Sequence, residues 1–215
     1  MATPTGSAEP RTPLSRDRVL RAAVDLADDS GVESITMRRL GQALGVEAMS
    51  LYHHVAGKDD VLDGMVDLLV ADIEPPPADA DWRVAIRTRS LSARRVLKRH
   101  PWAPRLIAAR TTMSTTMLRH MDAVMRDLIR GGLSNDLAHH AMHALGSRTL
   151  GFAQELFDQS DLGPGVAAIF TGGTAAADYP SLTAVISAIH HDEDAEFAFG
   201  LDLVLDGLER AEAAR

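Results

Sequence analysis

Two short apolar-patterned segments joined by the tripeptide Leu44-Gly45-Val46 constrain this sequence more than any other feature. The first segment carries Leu40, and the second spans residues 48–55 with Leu51 and Val55 four residues apart. Helices this short are not stable alone and gain their stability from packing. Glycine tolerates the positive φ that a tight turn between them needs. We therefore expect the two helices to pack on each other and on a preceding helix, in a helix-turn-helix arrangement.

Helical periodicity continues along the chain and strand signals are scarce, which predicts an all-α fold. Ser15 and Thr36 are suited to cap helices, and glycines are suited to end them. The expected helices are 16–30, 36–44, 48–55, 58–73, 82–99, 114–130, 134–157, 181–191 and 194–213, with Pro101 and Pro104 interrupting the chain. Residues 1–13 are expected to be a disordered tail. The Gly-, Ala-, Thr- and Asp-rich residues 158–180 are expected to form a long mobile loop.

The composition excludes several classes of protein. The absence of cysteine excludes disulfides, thiolate zinc sites and cysteine nucleophiles. No signal peptide and no membrane-spanning apolar run is evident, so we expect a cytoplasmic protein.

The net charge of −8 at first argues against nucleic-acid binding. However, residues 1–58 contain seven acidic and seven basic residues, so the acidic surplus lies further along the chain. A neutral head with a locally basic face remains compatible with DNA.

The motifs of residues 14–73 resemble the DNA-binding domain of the tetracycline-repressor (TetR) family. The matching patterns are G-V-x-x-x-T-M-R, L-G-V and S-L-Y-x-H-V. The resemblance implies a three-helix, helix-turn-helix DNA-binding domain over 14–73, followed by a helical ligand-binding and dimerisation domain over 78–215. It implies a homodimeric repressor that a small-molecule effector of unknown identity releases from a palindromic double-stranded DNA operator. The residues that it assigns to DNA contact are Thr36, Arg38, Ala48, Met49, Ser50, Tyr52, His53, His54 and Lys58.

The recognition residues depart from those of the tetracycline repressors. Those relatives carry glutamine and proline where this chain has Ala48 and Met49, and tryptophan at the position of His53. Alanine cannot make the bidentate contact to adenine that glutamine makes, whereas apolar contact with thymine methyl groups is open to Ala48 or Met49. The tetracycline operator therefore does not predict this operator.

Two helices behind the head carry wide apolar faces that suit dimerisation. The family resemblance favours pairing with their copies in a four-helix bundle, while packing within one chain is the alternative. The residues expected in the interface are Leu137, Ala141, Leu145, Phe152, Leu201, Val204, Leu205 and Leu208.

A slanted stripe of methionines at four-residue spacing predicts an adaptable apolar effector pocket, with ordinary core packing as the alternative. The pocket residues expected are Trp102, Met113, Met117, Met121 and Met142. The tetracycline pocket itself is not expected, because its Asn and Phe positions correspond to Arg89 and Ala93.

Other functions have less support. His139 and His143 lie one helical turn apart but lack a carboxylate partner, so no metal site and no cofactor is predicted. No catalytic motif is evident, and an enzyme is not expected. A DNA-binding regulator controlled by a protein partner, without an effector, is the main alternative.

Overall fold

The computed structural model describes residues 13–110, 112–151, 178–181, 183–184 and 192–215, and these residues contain helices and no β-strand. This confirms the all-α prediction. The helices are α1 (Arg16–Ser30), α2 (Met37–Leu44), α3 (Ala48–Leu51), α4 (Lys58–Ala71), α5 (Trp82–Arg99), α6 (Ala103–Ala109), α7 (Thr115–Arg130), α8 (Asn135–Gly151) and α9 (Glu193–Ala213). Most of the predicted tail, the predicted loop over 158–180 and the helix predicted at 181–191 fall outside the described residues. Within the described ranges, every helix is too short or too polar to span a bilayer.

Local capping chemistry sets most helix starts where the sequence predicts them. The Ser15 and Thr36 hydroxyl oxygens accept the N–H groups of Arg18 at 3.2 Å and Arg39 at 3.1 Å. Ser134 caps α8 in the same way, through the N–H of Leu137 at 3.4 Å. Each cap satisfies a backbone donor that the first turn leaves unpaired.

Two short elements were not predicted. A 3₁₀ turn, Val32–Ser34, follows α1, and α6 forms where two prolines indicated an interruption. The second proline, Pro104, lies in the first turn of α6, where its missing N–H has no intrahelical acceptor and costs nothing. Pro101 thus lies in the break between α5 and α6, as predicted, whereas Pro104 belongs to the start of α6.

The chain divides into two compact units. The first comprises Met1–Glu74 and Arg95–Ala123, and the second comprises Pro75–Arg94 and Val124–Arg215. Helices α5 and α7 each contribute residues to both units. The predicted domains over 14–73 and 78–215 are each continuous in sequence, unlike these two units. The division into a DNA-binding and a ligand-binding domain stays a prediction.

The first unit has its core where α1, α2, α3 and α4 meet. Its fully buried side chains include Val19, Ile35, Leu40, Leu51 and Met65. In the second unit, α8 packs along α9. The core there is lined by Leu128, Ala141, Phe197, Leu201 and Leu205, among others.

Candidate nucleic-acid interface

The turn between α2 and α3 depends on two glycines. Gly45 adopts the left-handed conformation, with φ 68° and ψ 34°, as the sequence predicted. Gly41 was not singled out, yet a Cβ there would lie 2.8 Å from the carbonyl oxygen of Val46 and 3.1 Å from the backbone nitrogen of Ala48. Position 41 therefore needs glycine because the backbone of the second segment passes directly over it.

The segment 48–55 presents one face inward and another outward. Leu51 is fully buried and Val55 is 3% exposed, so these two side chains fix the segment to the core. Met49 and Tyr52 are 73% and 47% exposed. The α-helix ends at Leu51, but the N–H groups of His54 and Val55 still donate to the Leu51 carbonyl at 2.9 and 3.0 Å. The segment therefore continues as tight turns to residue 55.

The remaining predicted contact residues of this segment lie at its rim. His53 is exposed, while Ala48, Ser50 and His54 are partly buried. Exposed aromatic and imidazole groups beside a large exposed methionine make a surface with both apolar and hydrogen-bonding capacity. Such a mixed surface matches base edges and phosphates.

The start of α2 adds an exposed cation. Arg39 donates to the Ser34 carbonyl and to the Ser30 hydroxyl, each at 3.4 Å, and is held against the protein. Its neighbour Arg38 is exposed and, among the described residues, has no side-chain partner. Arg38 can therefore bind an acceptor outside the protein, whereas the Thr36 hydroxyl caps α2.

The start of α4 is held by an ion pair from α1. Both Arg16 terminal nitrogens donate to the Asp60 carboxylate, at 2.6 and 2.7 Å, and the Ala56 N–H donates to the same carboxylate at 2.8 Å. The hydrogen bonds from Arg16 hold the pKa of Asp60 below its ordinary value, and those same bonds raise the pKa of Arg16. Lys58, in the first turn of α4, is exposed.

Of the residues predicted to line an effector pocket, Trp102 and Met117 pack against the same cluster of buried side chains, and the other three do not join it. Trp102 donates its indole N–H to Asp28 at 2.6 Å and packs against the core of the first unit. Met117 packs against a cluster of Val66, Val70 and Leu106, Met113 is 61% exposed and Met121 is partly buried. Met142 packs against the core of the second unit. The pocket remains a prediction.

Asp28 joins the end of α1 to residues just before α6. Besides the Trp102 indole, its carboxylate meets the His100 ring nitrogen Nδ1 at 2.8 Å. The partners are more than 70 residues apart in sequence, so helical periodicity gave no signal for them. One carboxylate thus binds two aromatic side chains and fixes the approach of the chain to α6.

The second unit contains an ion pair with little exposure to water, at the position that the family resemblance assigns to the asparagine of the tetracycline pocket. Arg89 Nε donates to Asp127 at 3.0 Å, and the two side chains are 12% and 5% exposed. Ala93, which the resemblance assigns to the phenylalanine position, is buried. These residues cannot supply the amide and aromatic contacts of the tetracycline site.

Most residues predicted for the dimer interface are already used within one chain. Six of them are buried in the core of the second unit: Leu137, Ala141, Leu145, Leu201, Leu205 and Leu208. Val204 is partly buried against the same core, and Phe152 lies outside the described residues. An apolar side chain buried in the monomer offers little area to a second copy. On α9 the exposed large apolar residues are instead Phe199 and Leu203, at 67% and 52% exposure.

The exposed histidines of α8 lie close together. The rings of His139 and His143 are 4.7 Å apart in an edge-to-face arrangement. In the described part of the chain, no group of three or more metal-ligating side chains is placed to hold an ion.

Comparison with known proteins identifies the family. Residues 19–65 match the model for bacterial regulatory proteins of the tetR family, and residues 74–211 match the tetracyclin repressor-like C-terminal domain. The HTH-type transcriptional repressor DrrR1 of Streptomyces coeruleorubidus is 31% identical, over 96% of this chain and 81% of its own. The class A tetracycline repressor protein from transposon 1721 of Escherichia coli is 32% identical, over 92% and 91%.

Solved structures agree with this assignment. The Streptomyces coelicolor TetR family protein ActR, crystallised in complex with actinorhodin, is 28% identical with a TM-score of 0.73, over 94% of this chain and 99% of ActR. Both family models fall on the regions described above, the first on α1 to α4 and the second on the helices that follow. The chain therefore belongs to the tetR family and is a DNA-binding transcriptional regulator, not an enzyme.

Proposed function

We propose that this protein represses transcription as a homodimer that binds a palindromic operator and is released by a small-molecule effector. The observation that carries the proposal is the outward face of residues 48–55, where Met49 and Tyr52 are exposed beside buried Leu51. A helix-turn-helix presents such a face to the major groove. The regulator would act in the cytoplasm, where the DNA is.

The proposed DNA contacts fall into two groups. Ala48, Met49 and Ser50 open the recognition segment and are placed to meet base edges, with Arg38 beside them. Tyr52, His53, His54 and Lys58 follow as phosphate contacts, and Thr36 shapes the start of α2 as its cap. Base contacts specify sequence and phosphate contacts fix register. Substitutions in the first group should therefore reduce the preference for the operator, and substitutions in the second should weaken binding to any duplex.

The DNA-binding test uses a labelled duplex from the region upstream of the gene and a random duplex of equal length. Wild-type protein should prefer the upstream duplex, with an affinity that falls steeply as salt rises. Arg38→Ala should lose most of this preference, and Tyr52→Phe, which removes only a hydroxyl, should weaken binding to both duplexes. Arg21→Ala, an exposed arginine elsewhere on the head, is the matched control. Wild-type preference retained by Arg38→Ala, together with wild-type affinity retained by Tyr52→Phe, would refute the contact face.

For the dimer, we propose that the exposed side of α9, with Phe199 and Leu203, meets a second copy. Two heads at fixed spacing gain effective concentration on a palindrome. Leu203→Glu should shift the protein toward monomer in sedimentation velocity and weaken operator binding. Leu118→Glu changes a residue of equal exposure, 52%, on α7 and should not. Equal dimerisation by both variants would place the interface elsewhere.

The effector is proposed to be mainly apolar and to bind near Met117 and Met121. An effector lowers DNA affinity only by its differential affinity for conformations with misplaced heads. ActR was crystallised in complex with actinorhodin, so actinorhodin is the first probe to test. Met121→Gln should lower the effect of an active probe on operator release, while a folded variant with unchanged release would count against this pocket.

A further inference from the structure

The Arg16–Asp60 pair connects three parts of the head that are distant in sequence. Arg16 is the first residue of α1, and Asp60 lies in the first turn of α4. The same Asp60 carboxylate accepts the Ala56 N–H, and Arg16 approaches the His54 carbonyl at 3.4 Å. The pair therefore touches the far end of segment 48–55, the turn after it and the start of α4 at once.

The turn after the recognition segment has few other constraints. Gly57 has no side chain, and α4 consequently begins without a side-chain cap. Asp60, three residues after this N-cap, reaches back to the N–H of Ala56, one residue before the N–H that the acidic member of a capping box binds. Without the carboxylate, the Ala56 N–H loses its acceptor and the direction of the chain between Val55 and α4 is less defined.

The exposure of the Arg16 and Asp60 side chains indicates that the pair orients the chain around it more than it stabilises the whole fold. The side chains are 46% and 30% exposed, and ion pairs with such access to water contribute little to the free energy of unfolding. Yet the geometry is bidentate, which fixes orientation as well as distance. The pair therefore adds little to the free energy of unfolding, but it fixes the angle between the recognition segment and α4.

We propose that the Arg16–Asp60 pair is a positioning element for operator binding, holding the contact surface of residues 48–55 in register with Lys58 so that both reach the duplex together. The inference rests on the proposed function of this face. Neither residue of the pair needs to touch DNA for this role. Preorganisation of this kind contributes to affinity because binding then orders fewer groups.

The sign of one substitution separates positioning from simple electrostatics. Asp60→Asn removes a negative charge beside a surface that meets phosphates, and Coulomb's law alone predicts tighter DNA binding. Positioning predicts weaker binding, because the Arg16 restraint is lost. Asp59→Asn is the matched control: it makes the same chemical change one residue away, at an exposed carboxylate without a partner among the described residues.

The test measures fluorescence anisotropy of the full-length protein with the upstream duplex and with a random duplex, over a series of salt concentrations. Circular dichroism melts fix a temperature at which every variant is folded. Asp60→Asn and Arg16→Gln should each bind the upstream duplex about tenfold more weakly, whereas Asp59→Asn should bind it as tightly as wild type or more tightly. Arg21→Gln, which breaks a neighbouring surface pair on α1, is the control for Arg16 and should have no effect.

The salt dependence distinguishes positioning from direct contact. The slope of log Kd against log salt should be unchanged in Arg16→Gln, while a slope reduced by about 0.9 would show that Arg16 itself binds a phosphate and would overturn the proposal. Asp60→Asn binding at least as tightly as wild type would also overturn it. If wild type fails to prefer the upstream duplex, the proposed function fails with it, and this result is distinct from the other two. Should Asp60→Asn not fold, Arg16→Gln carries the test through its salt slope. Weaker binding with an unchanged slope supports positioning, because loss of a phosphate contact would reduce the slope.

Discussion

A thymine methyl group is the smallest operator feature that Met49 can be tested against. Replacing thymine by deoxyuridine removes only the 5-methyl group and leaves every hydrogen-bonding atom of the base pair in place. If Met49 packs on a thymine, one uracil in each half-site should weaken binding, whereas uracil at positions away from the recognition segment should have no effect. The perturbation therefore isolates apolar recognition from polar recognition.

The expected magnitude follows from the exposure of Met49. Burying a whole methionine side chain is worth about 1.5–3 kcal/mol, and Met49 is 73% exposed. Burial of Met49 in the groove can therefore contribute about 1–2 kcal/mol per head to the free energy of binding. Burial of the thymine methyl group itself is worth about 0.8 kcal/mol, or roughly a fourfold change in Kd. In a dimer on a palindrome the two half-sites together should give roughly a fifteenfold loss.

The assay is a uracil scan of the operator with wild type and Met49→Ala, read by anisotropy. Wild type should show a loss confined to one or two symmetric thymines, and the variant should bind more weakly while being indifferent to the same uracils. Equal sensitivity of both proteins at every thymine would show that Met49 reads no methyl group. A flat scan for wild type would assign sequence reading to Arg38 and to DNA shape instead.

Three further predictions concern stability. Leu51→Ala should lower the free energy of unfolding in urea by about 2–5 kcal/mol, because Leu51 is fully buried, and a loss below about 1 kcal/mol would contradict the packing described. Asp127→Ala should cost about 3–5 kcal/mol by leaving Arg89 buried without its partner, and replacing both residues with leucine should recover most of that, as thermal melts would show. The lowered pKa of Asp60 means that its bond to Arg16 stabilises the fold above the unfolded carboxyl pKa of about 3.9, and this stabilisation is lost as the pH falls through the lower folded pKa. The difference in unfolding free energy between wild type and Asp60→Asn should accordingly shrink below about pH 4, and a difference independent of pH would refute the assignment.

Local chemistry explains what could be predicted from sequence. Ser15, Thr36 and Gly45 act within four residues of themselves, so their caps and turns were visible in the order of residues. The spacing of Leu51 and Val55 likewise defined the buried face of segment 48–55 and thereby the exposed one. The helix-turn-helix and the exposed face of segment 48–55 follow from these short-range patterns.

Longer-range features escaped the same reasoning for physical reasons. An apolar arc on α9 has the same spacing whether it meets α8 of its own chain or a second copy, so Leu201 and Leu205 could not be assigned by pattern. The pairs Arg16–Asp60 and Asp28–His100 span 44 and 72 residues, and only the folded chain brings them together. Pro104 was misread because proline is compatible both with a break and with the first turn of a helix.

The carboxylate shared by His100 and Trp102 has a consequence for building hybrid regulators. A transplanted head that ends at residue 73 takes Asp28 away from both aromatic partners and leaves an indole N–H and an imidazole without the acceptor they hold here. A recipient scaffold would need an equivalent acid on its own first helix, or the graft would have to carry the region around α6 along with the head. A domain boundary chosen from the sequence motif alone therefore breaks polar contacts that the fold makes.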